Sequence, residues 1–199
     1  MARDKLLIWN QALSHVGARN AVQDADEATR EAQHLSAIWE ICRDEVMEAI
    51  DWGFLTTYRT LSALSEDPPE SWDYVYQWPS DCLKFRFIEP VYSRTDEAIP
   101  YEIGNSEGDA KVIWTDQEDA VGCYSKSSVT NPELWSAAFC SALSWKLSVS
   151  LAMTEIGSVR DSVAMSRVYE RQLVVAAVQS ANQKQRDPLA DCEGIAARQ

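Results

Sequence analysis

The spacing of apolar residues changes between residues 52 and 83 of this chain, and that change limits the folds open to it. Upstream, apolar residues recur three and four apart, which is typical of one face of a helix. From Tyr74 onward they form short aromatic and β-branched runs, which are typical of strands. Pro68-Pro69 and Pro79 punctuate the stretch, because proline fixes φ and has no N–H to donate to a strand ladder. We interpret the stretch as a joint between a helical body and an inserted sheet.

The chain has 199 residues, of which 46% are hydrophobic, enough for one well-buried core and too few for two complete ones. The sequence therefore predicts an α+β fold that is mainly α, an antiparallel bundle of about four helices with an inserted small β-sheet. We divide it into a helical body formed by residues 1–66 and 131–185, an inserted β-rich region at 67–130, and a flexible C-terminal tail at 186–199. The tail has too few large apolar side chains to fold alone.

Two helices are predicted before the joint. The first covers about residues 3–16 and ends at Gly17. The second runs from a cap at Asp24 or Asp26 to Trp52, and Gly53 ends it. Its charged residues, Arg43 among them, are assigned mostly to the solvent side. Its predicted buried face consists of Ala28, Ala32, Leu35, Trp39, Cys42, Val46 and Ile50.

Two more helices are predicted after Pro132, one to about residue 153 and one over about 158–185, with Gly157 between them. The inner face of the fourth helix is predicted to hold Val159, Val163, Tyr169, Leu173, Ala176 and Ser180. The strand candidates are residues 74–78, 83–90, 101–103, 111–114 and 122–125. Residues 104–109 are predicted to be a hairpin connection, since Gly and Asn tolerate the positive φ that it needs.

Charge and cysteine usage exclude several classes of protein. A net charge of −13 argues against a surface that grips nucleic acid, because phosphate binding draws on clustered Lys and Arg. The five cysteines are odd in number and lack CxxC spacing, which predicts a reduced, cytosolic chain without a zinc site. The apolar run at residues 6–9 is too short for a secretory signal. Residues 134–153 carry one charge but many serines, and we expect a buried helix there instead of a membrane span.

Candidate catalytic and metal-binding residues each have a plainer explanation. Cys42 and His34 would lie eight residues apart on one helix, too far for a nucleophile and its base. Helix capping accounts for the acids at Asp24, Asp26 and Glu31, which lack the spacing and central glycine of a calcium loop. The pairs Glu66 with Asp67 and Glu118 with Asp119 are expected by chance among 31 acidic residues. We therefore predict no enzyme activity, no catalytic residue, no cofactor and no metal.

Several short motifs resemble one known family when they are taken in order. They are Arg43-Asp44-Glu45 in a helix followed by Trp52-x-Phe54, then Arg59-x-Leu61, then Tyr74-x-Tyr76-x-x-Pro79-Ser80-Asp81-Cys82-Leu83. The opening helix at residues 6–17, the acidic turn at 24–28, Val112-Ile113-Trp114-Thr115-Asp116 and the final helix pair at 132–185 extend the match. Together they resemble the tail tubular protein A and head-to-tail adaptor family of short-tailed bacteriophages.

The resemblance implies a structural virion protein. Its members form an adaptor ring, expected here to hold twelve copies, between the portal protein and the tail nozzle, and genomic DNA passes through without sequence-specific binding. It implies location in the virion after assembly in the host cytoplasm, with no membrane contact. Two alternatives stay open at this point, a virion-associated cell-wall hydrolase and a small regulatory binding module. A deep pocket with two converging acids would favour the hydrolase.

Overall fold

The computed structural model describes residues 4–18, 20–89, 98–156 and 158–182. These residues form four α-helices, α1 Lys5–His15, α2 Arg30–Ala49, α3 Ala137–Leu151 and α4 Val159–Asn182. The same described residues form six strands, β1 Thr56–Thr60, β2 Tyr74–Gln77, β3 Cys82–Glu89, β4 Tyr101–Asn105, β5 Lys111–Thr115 and β6 Val121–Lys126. The predicted α+β class is confirmed. The predicted tail at 186–199 and the predicted end of the fourth helix lie outside the described residues.

Helix α3 is the centre of the helical region, and it contacts α1, α2 and α4. Its apolar residues are spread around the whole helix, so that it is buried on most sides. The hydroxyl groups of Ser144 and Ser148 are buried as well, and they donate to backbone carbonyls three residues earlier. The ring of Trp135 contacts both the ring of Trp39 in α2 and the ring of Phe139 in α3. This packing explains why the segment carries a single charge.

The ends of α1 and α2 test the predicted caps. Gly17 ends α1 as predicted, with φ at +72° and its N–H donating to the carbonyl of Ser14. Helix α2, in contrast, begins after Thr29, whose hydroxyl accepts from the N–H of Ala32, so the prediction of Asp24 or Asp26 as its cap is wrong. Gly53 is also not the stop of α2, because the helix ends at Ala49 and Gly53 begins a 3-10 turn.

Most of the predicted inner face of α2 is correct. The five positions from Ala32 to Val46 are buried, whereas Ala28 lies exposed before the helix begins. Arg43, assigned to the solvent side, is 8% exposed. Its guanidinium pairs with Glu40 and Asp44, and this pairing allows a charged group to lie at the edge of the core.

The β-rich region contains two three-stranded antiparallel sheets, so the prediction of one inserted sheet is wrong. Sheet A has the order β1-β6-β3 and sheet B the order β2-β5-β4. All five predicted strands are present, but β1 was not predicted. The sheets share a second core that includes Leu61, Tyr76, Phe85, Ile113 and Tyr124.

One segment links the two sheets directly. After β1, the N–H of Leu61 donates to the carbonyl of Ala120 beside sheet A. The next residues pair with β2 of sheet B, where Gln77 donates to the carbonyl of Ser62 and Leu64 donates to the carbonyl of Val75. The chain thus passes from an edge of one sheet to an edge of the other without an intervening loop.

The predicted hairpin at residues 104–109 is present between β4 and β5. Ser106 donates to the carbonyl of Ala110, and Asp109 takes the positive φ, at 59°, that we expected of Gly or Asn. Gly104 has another role, because its missing side chain admits the ring of Trp114. A Cβ at this position would lie 2.1 Å from a ring carbon.

A buried arginine joins the helical region to sheet A. Arg86 of β3 donates to the carbonyl of Trp52 at 3.0 Å and to the hydroxyls of Thr56 and Ser125, each at 2.7 Å. Its guanidinium also lies 3.5 Å from the carboxylate of Asp51, just after α2. We call this set of residues the arginine joint.

Candidate functional site

The structure places Cys42 and His34 in separate surroundings. The Cys42 side chain is buried in the helical core, and burial raises the pKa of its thiol to about 11. His34 instead lies within 3.3 Å of the hydroxyl of Ser150. The thiol is therefore protonated at neutral pH, and the two residues do not form a nucleophile and base pair.

Some of the acidic side chains considered above accept hydrogen bonds from nearby backbone groups, as Asp24 does from the N–H of Asp26. Glu27 accepts hydrogen bonds from the hydroxyl of Thr29 and from the N–H groups of Gln23 and Asp24. These bonds lower the pKa of the Glu27 carboxyl, and the bond from Thr29 has the largest effect. Glu66 accepts from the N–H of Glu107 in the neighbouring hairpin. Across the part of the chain that the structure describes, no cluster of three His, Cys, Asp or Glu could hold a metal ion.

Two of the motif segments meet in a cleft between sheet A and sheet B. The cleft has a volume of about 140 Å³. Its lining comes from the end of β1 with the linking segment, and from the end of β2 with the turn after it. These residues include Arg59, Leu61, Ser62, Gln77, Trp78 and Ser80. The sequence motifs include both of these segments, but nothing in the sequence indicated that the two segments lie against each other.

Asp81 organises the charges beside this cleft. It accepts from the hydroxyl of Tyr124 at 2.8 Å, and it lies 3.4 Å from the ammonium of Lys126 and 3.9 Å from the guanidinium of Arg59. The bond from Tyr124 and the nearby cations lower the pKa of the Asp81 carboxyl. Burial, reinforced by Asp81, raises the pKa of Tyr124 to about 12. A third cation, Lys111, lies over the ring of Trp78, 3.7 Å from its centroid.

Helix α4 exposes an apolar surface. Val159, Val163, Val174 and Val178 are between 46% and 65% exposed, and we call them the valine stripe. Their spacings of 4, 11 and 4 residues place them on one side of the helix. The prediction that Val159 and Val163 belong to the inner face is wrong. The inner face is formed by Tyr169, Leu173, Ala176 and Ser180.

A second exposed apolar feature lies on sheet A. Tyr58 and Phe87 are 53% and 39% exposed, and their rings meet edge to face with centroids 6.3 Å apart. Both pair in register with Cys123 of the central strand, which is buried. The sequence did not indicate this pair, because β1 was not recognised as a strand and the neighbours of Phe87 were therefore unknown.

Comparison with known proteins adds no family to these observations. No protein-family model matches the chain, and no curated protein matches it either. None of the helices within residues 4–18, 20–89, 98–156 and 158–182 has the length and apolar character needed to cross a membrane.

Proposed function

We propose that this chain is a structural subunit of a bacteriophage head-to-tail connector and not an enzyme. In this proposal about twelve copies form an adaptor ring in the virion, assembled in the host cytoplasm. One side of the ring binds the portal protein and the other binds the tail nozzle. Genomic DNA passes through the ring without sequence-specific binding.

The valine stripe is the observation that carries this proposal. Four exposed valines on one side of a helix are costly to leave in water, and contact with another protein would bury them. Arg167 and Glu170 lie between the two pairs of valines, and they offer both signs of charge to a neighbouring subunit. A ring requires heterologous contacts, in which different surfaces of successive subunits meet.

The helical packing fits the body of such a subunit. Helix α3 contacts each of the other three helices, and we propose that the four helices form the antiparallel bundle expected from the sequence. The bundle would form the body of the ring, and the sheets would extend from it toward the tail. The net charge of −13 suits a channel through which DNA slides, since like charges repel.

The test is ring formation on purified portal particles from the same phage, viewed by electron microscopy. We expect the unaltered chain to form rings on the portal. Replacing Val174 and Val178 with Glu should abolish the rings, because it places two charges in the proposed contact. Calorimetry of each variant would check that the fold is intact.

A matched control introduces the same charge elsewhere. Gln33 and Ala37 are exposed on α2, away from the valine stripe, so changing both to Glu should leave ring formation intact. Normal rings from the Val174→Glu, Val178→Glu protein would refute the stripe as a subunit contact. A portal that takes up no copies of the unaltered chain would refute the adaptor proposal itself.

A further inference from the structure

The cleft between the sheets combines features that suit recognition of a negatively charged chain. Arg59 lies on β1, an edge strand of sheet A, and its side chain is 61% exposed. Its distance of 3.9 Å from Asp81 exceeds that of a good hydrogen bond, so the guanidinium is not fully engaged there. It is therefore available to a second carboxylate.

The charge balance of this cluster is opposite to that of the protein. Arg59, Lys111 and Lys126 contribute three positive charges, and Asp81 contributes one negative charge. The Asp81 carboxylate is also engaged by the hydroxyl of Tyr124. On a chain with a net charge of −13, this local excess of positive charge favours contact with an anion.

The form of the cleft favours a peptide over a nucleic acid. A cleft of about 140 Å³ accommodates one or two side chains, and it is too small to hold a nucleic-acid duplex. Three cations are few for phosphate binding, and the acidic remainder of the chain repels a long polyanion. A short acidic segment carries few charges, and its carboxylate can accept two parallel bonds from a guanidinium.

We propose that this cleft binds an extended acidic segment of a partner protein. One carboxylate of the segment pairs with Arg59 and Lys126, and a neighbouring side chain packs on Trp78. Strand β1 pairs only with β6 within the described sheets, so its outer edge is open to backbone bonds from such a segment. The proposal is independent of ring formation, because the valine stripe lies on a different element.

Fluorescence anisotropy with a defined probe tests this proposal. The probe is a labelled peptide with Glu at alternate positions, and the comparison peptide has Gln at those positions. We expect the Glu peptide to bind, with affinity falling as salt is added. Changing both Arg59 and Lys126 to Gln should weaken binding about tenfold or more, since two charge-assisted contacts are lost.

The matched control changes Arg160 and Arg167 to Gln, which alters the net charge equally but on exposed positions of α4. This variant should bind the Glu peptide as the unaltered chain does. Equal weakening by both variants would overturn the proposal, because attraction would then be nonspecific. Equal binding of the Glu and Gln peptides would also overturn the proposal. So would a labelled DNA duplex that binds more tightly than the Glu peptide and loses affinity when Arg59 and Lys126 are changed to Gln.

Discussion

Replacing Arg86 with Met separates the contribution of the arginine joint from simple packing. Met retains much of the apolar stem but removes every donor. The Arg86 side chain is only 3% exposed, and it donates to two hydroxyls and one backbone carbonyl. Burial makes the loss of these donors expensive, because the acceptors left behind have little access to water.

The expected loss of stability follows from those contacts. Each bond from a charged donor contributes roughly 1.5–3 kcal/mol. The Thr56 hydroxyl also donates to the carbonyl of Trp52, so that carbonyl keeps a partner and the losses are less than additive. We expect the free energy of unfolding to fall by about 3 to 5 kcal/mol. For a chain of this length, the melting temperature should fall by roughly 6–20 °C.

Two further variants test whether hydrogen bonds or charge dominate. Asp51 is 43% exposed, so Asp51→Asn should cost less than about 1 kcal/mol, although it removes ion pairs with both Arg86 and Lys84. Arg59→Met removes an arginine that is 61% exposed, and it should cost equally little. Chemical denaturation followed by tryptophan fluorescence measures all three. A loss from Asp51→Asn as large as that from Arg86→Met would refute the reasoning, since ion pairing at Asp51 would then outweigh the hydrogen bonds of Arg86.

Two other predictions concern the second sheet and the response to pH. Gly104→Ala should destabilise the fold by about 1–3 kcal/mol in thermal melts, because the new Cβ would overlap the Trp114 ring. Gly108→Ala is the control and should have almost no effect, since the nearest atom to a Cβ at that position lies 3.7 Å away. Partial burial lowers the pKa of the His15 imidazole, so the folded protein binds a proton there less tightly than the unfolded chain does. Stability should therefore fall as the pH drops below the unfolded pKa of about 6.5. His15→Gln should make the melting temperature less dependent on pH between about 7.5 and about 5, and an unchanged slope would contradict this account.

Local sequence patterns were sufficient to predict most elements. Aromatic and β-branched runs identified five strands, and Gly17 identified the end of α1. Strand β1 was missed because Thr56–Thr60 has no alternation of apolar and polar residues. The sequence also could not predict which strands pair, since the same strands could form one sheet or two. Which strands pair depends on contacts between distant residues, such as Tyr76 with the backbone near Gln117.

The errors at the surfaces have physical causes as well. Asp24 was one of the two predicted caps of α2, but its carboxylate accepts from the N–H of Asp26 within the preceding loop, and Thr29 takes the capping role. Val159 and Val163 were grouped with Tyr169, although ten residues from Val159 to Tyr169 do not complete a whole number of helical turns. A stricter application of the 3.6-residue period would have moved Val163 away from the core, but Val159 lies only about 40° from Leu173 around the helix, so its exposure required the tertiary structure. The cleft at Arg59 required the tertiary structure, because its two walls are far apart in sequence.

The linking segment after β1 has a mechanical consequence. Leu61 is bonded to the backbone beside sheet A, while Ser62 and Leu64 are bonded to the edge of sheet B. Tension that draws the sheets apart is therefore transmitted along a few residues of backbone into hydrogen bonds on both sides. The shared core around Tyr76 and Phe85 resists the same displacement. We therefore expect the two sheets to resist force as one mechanical unit, because a force applied to either sheet is transmitted directly to the other.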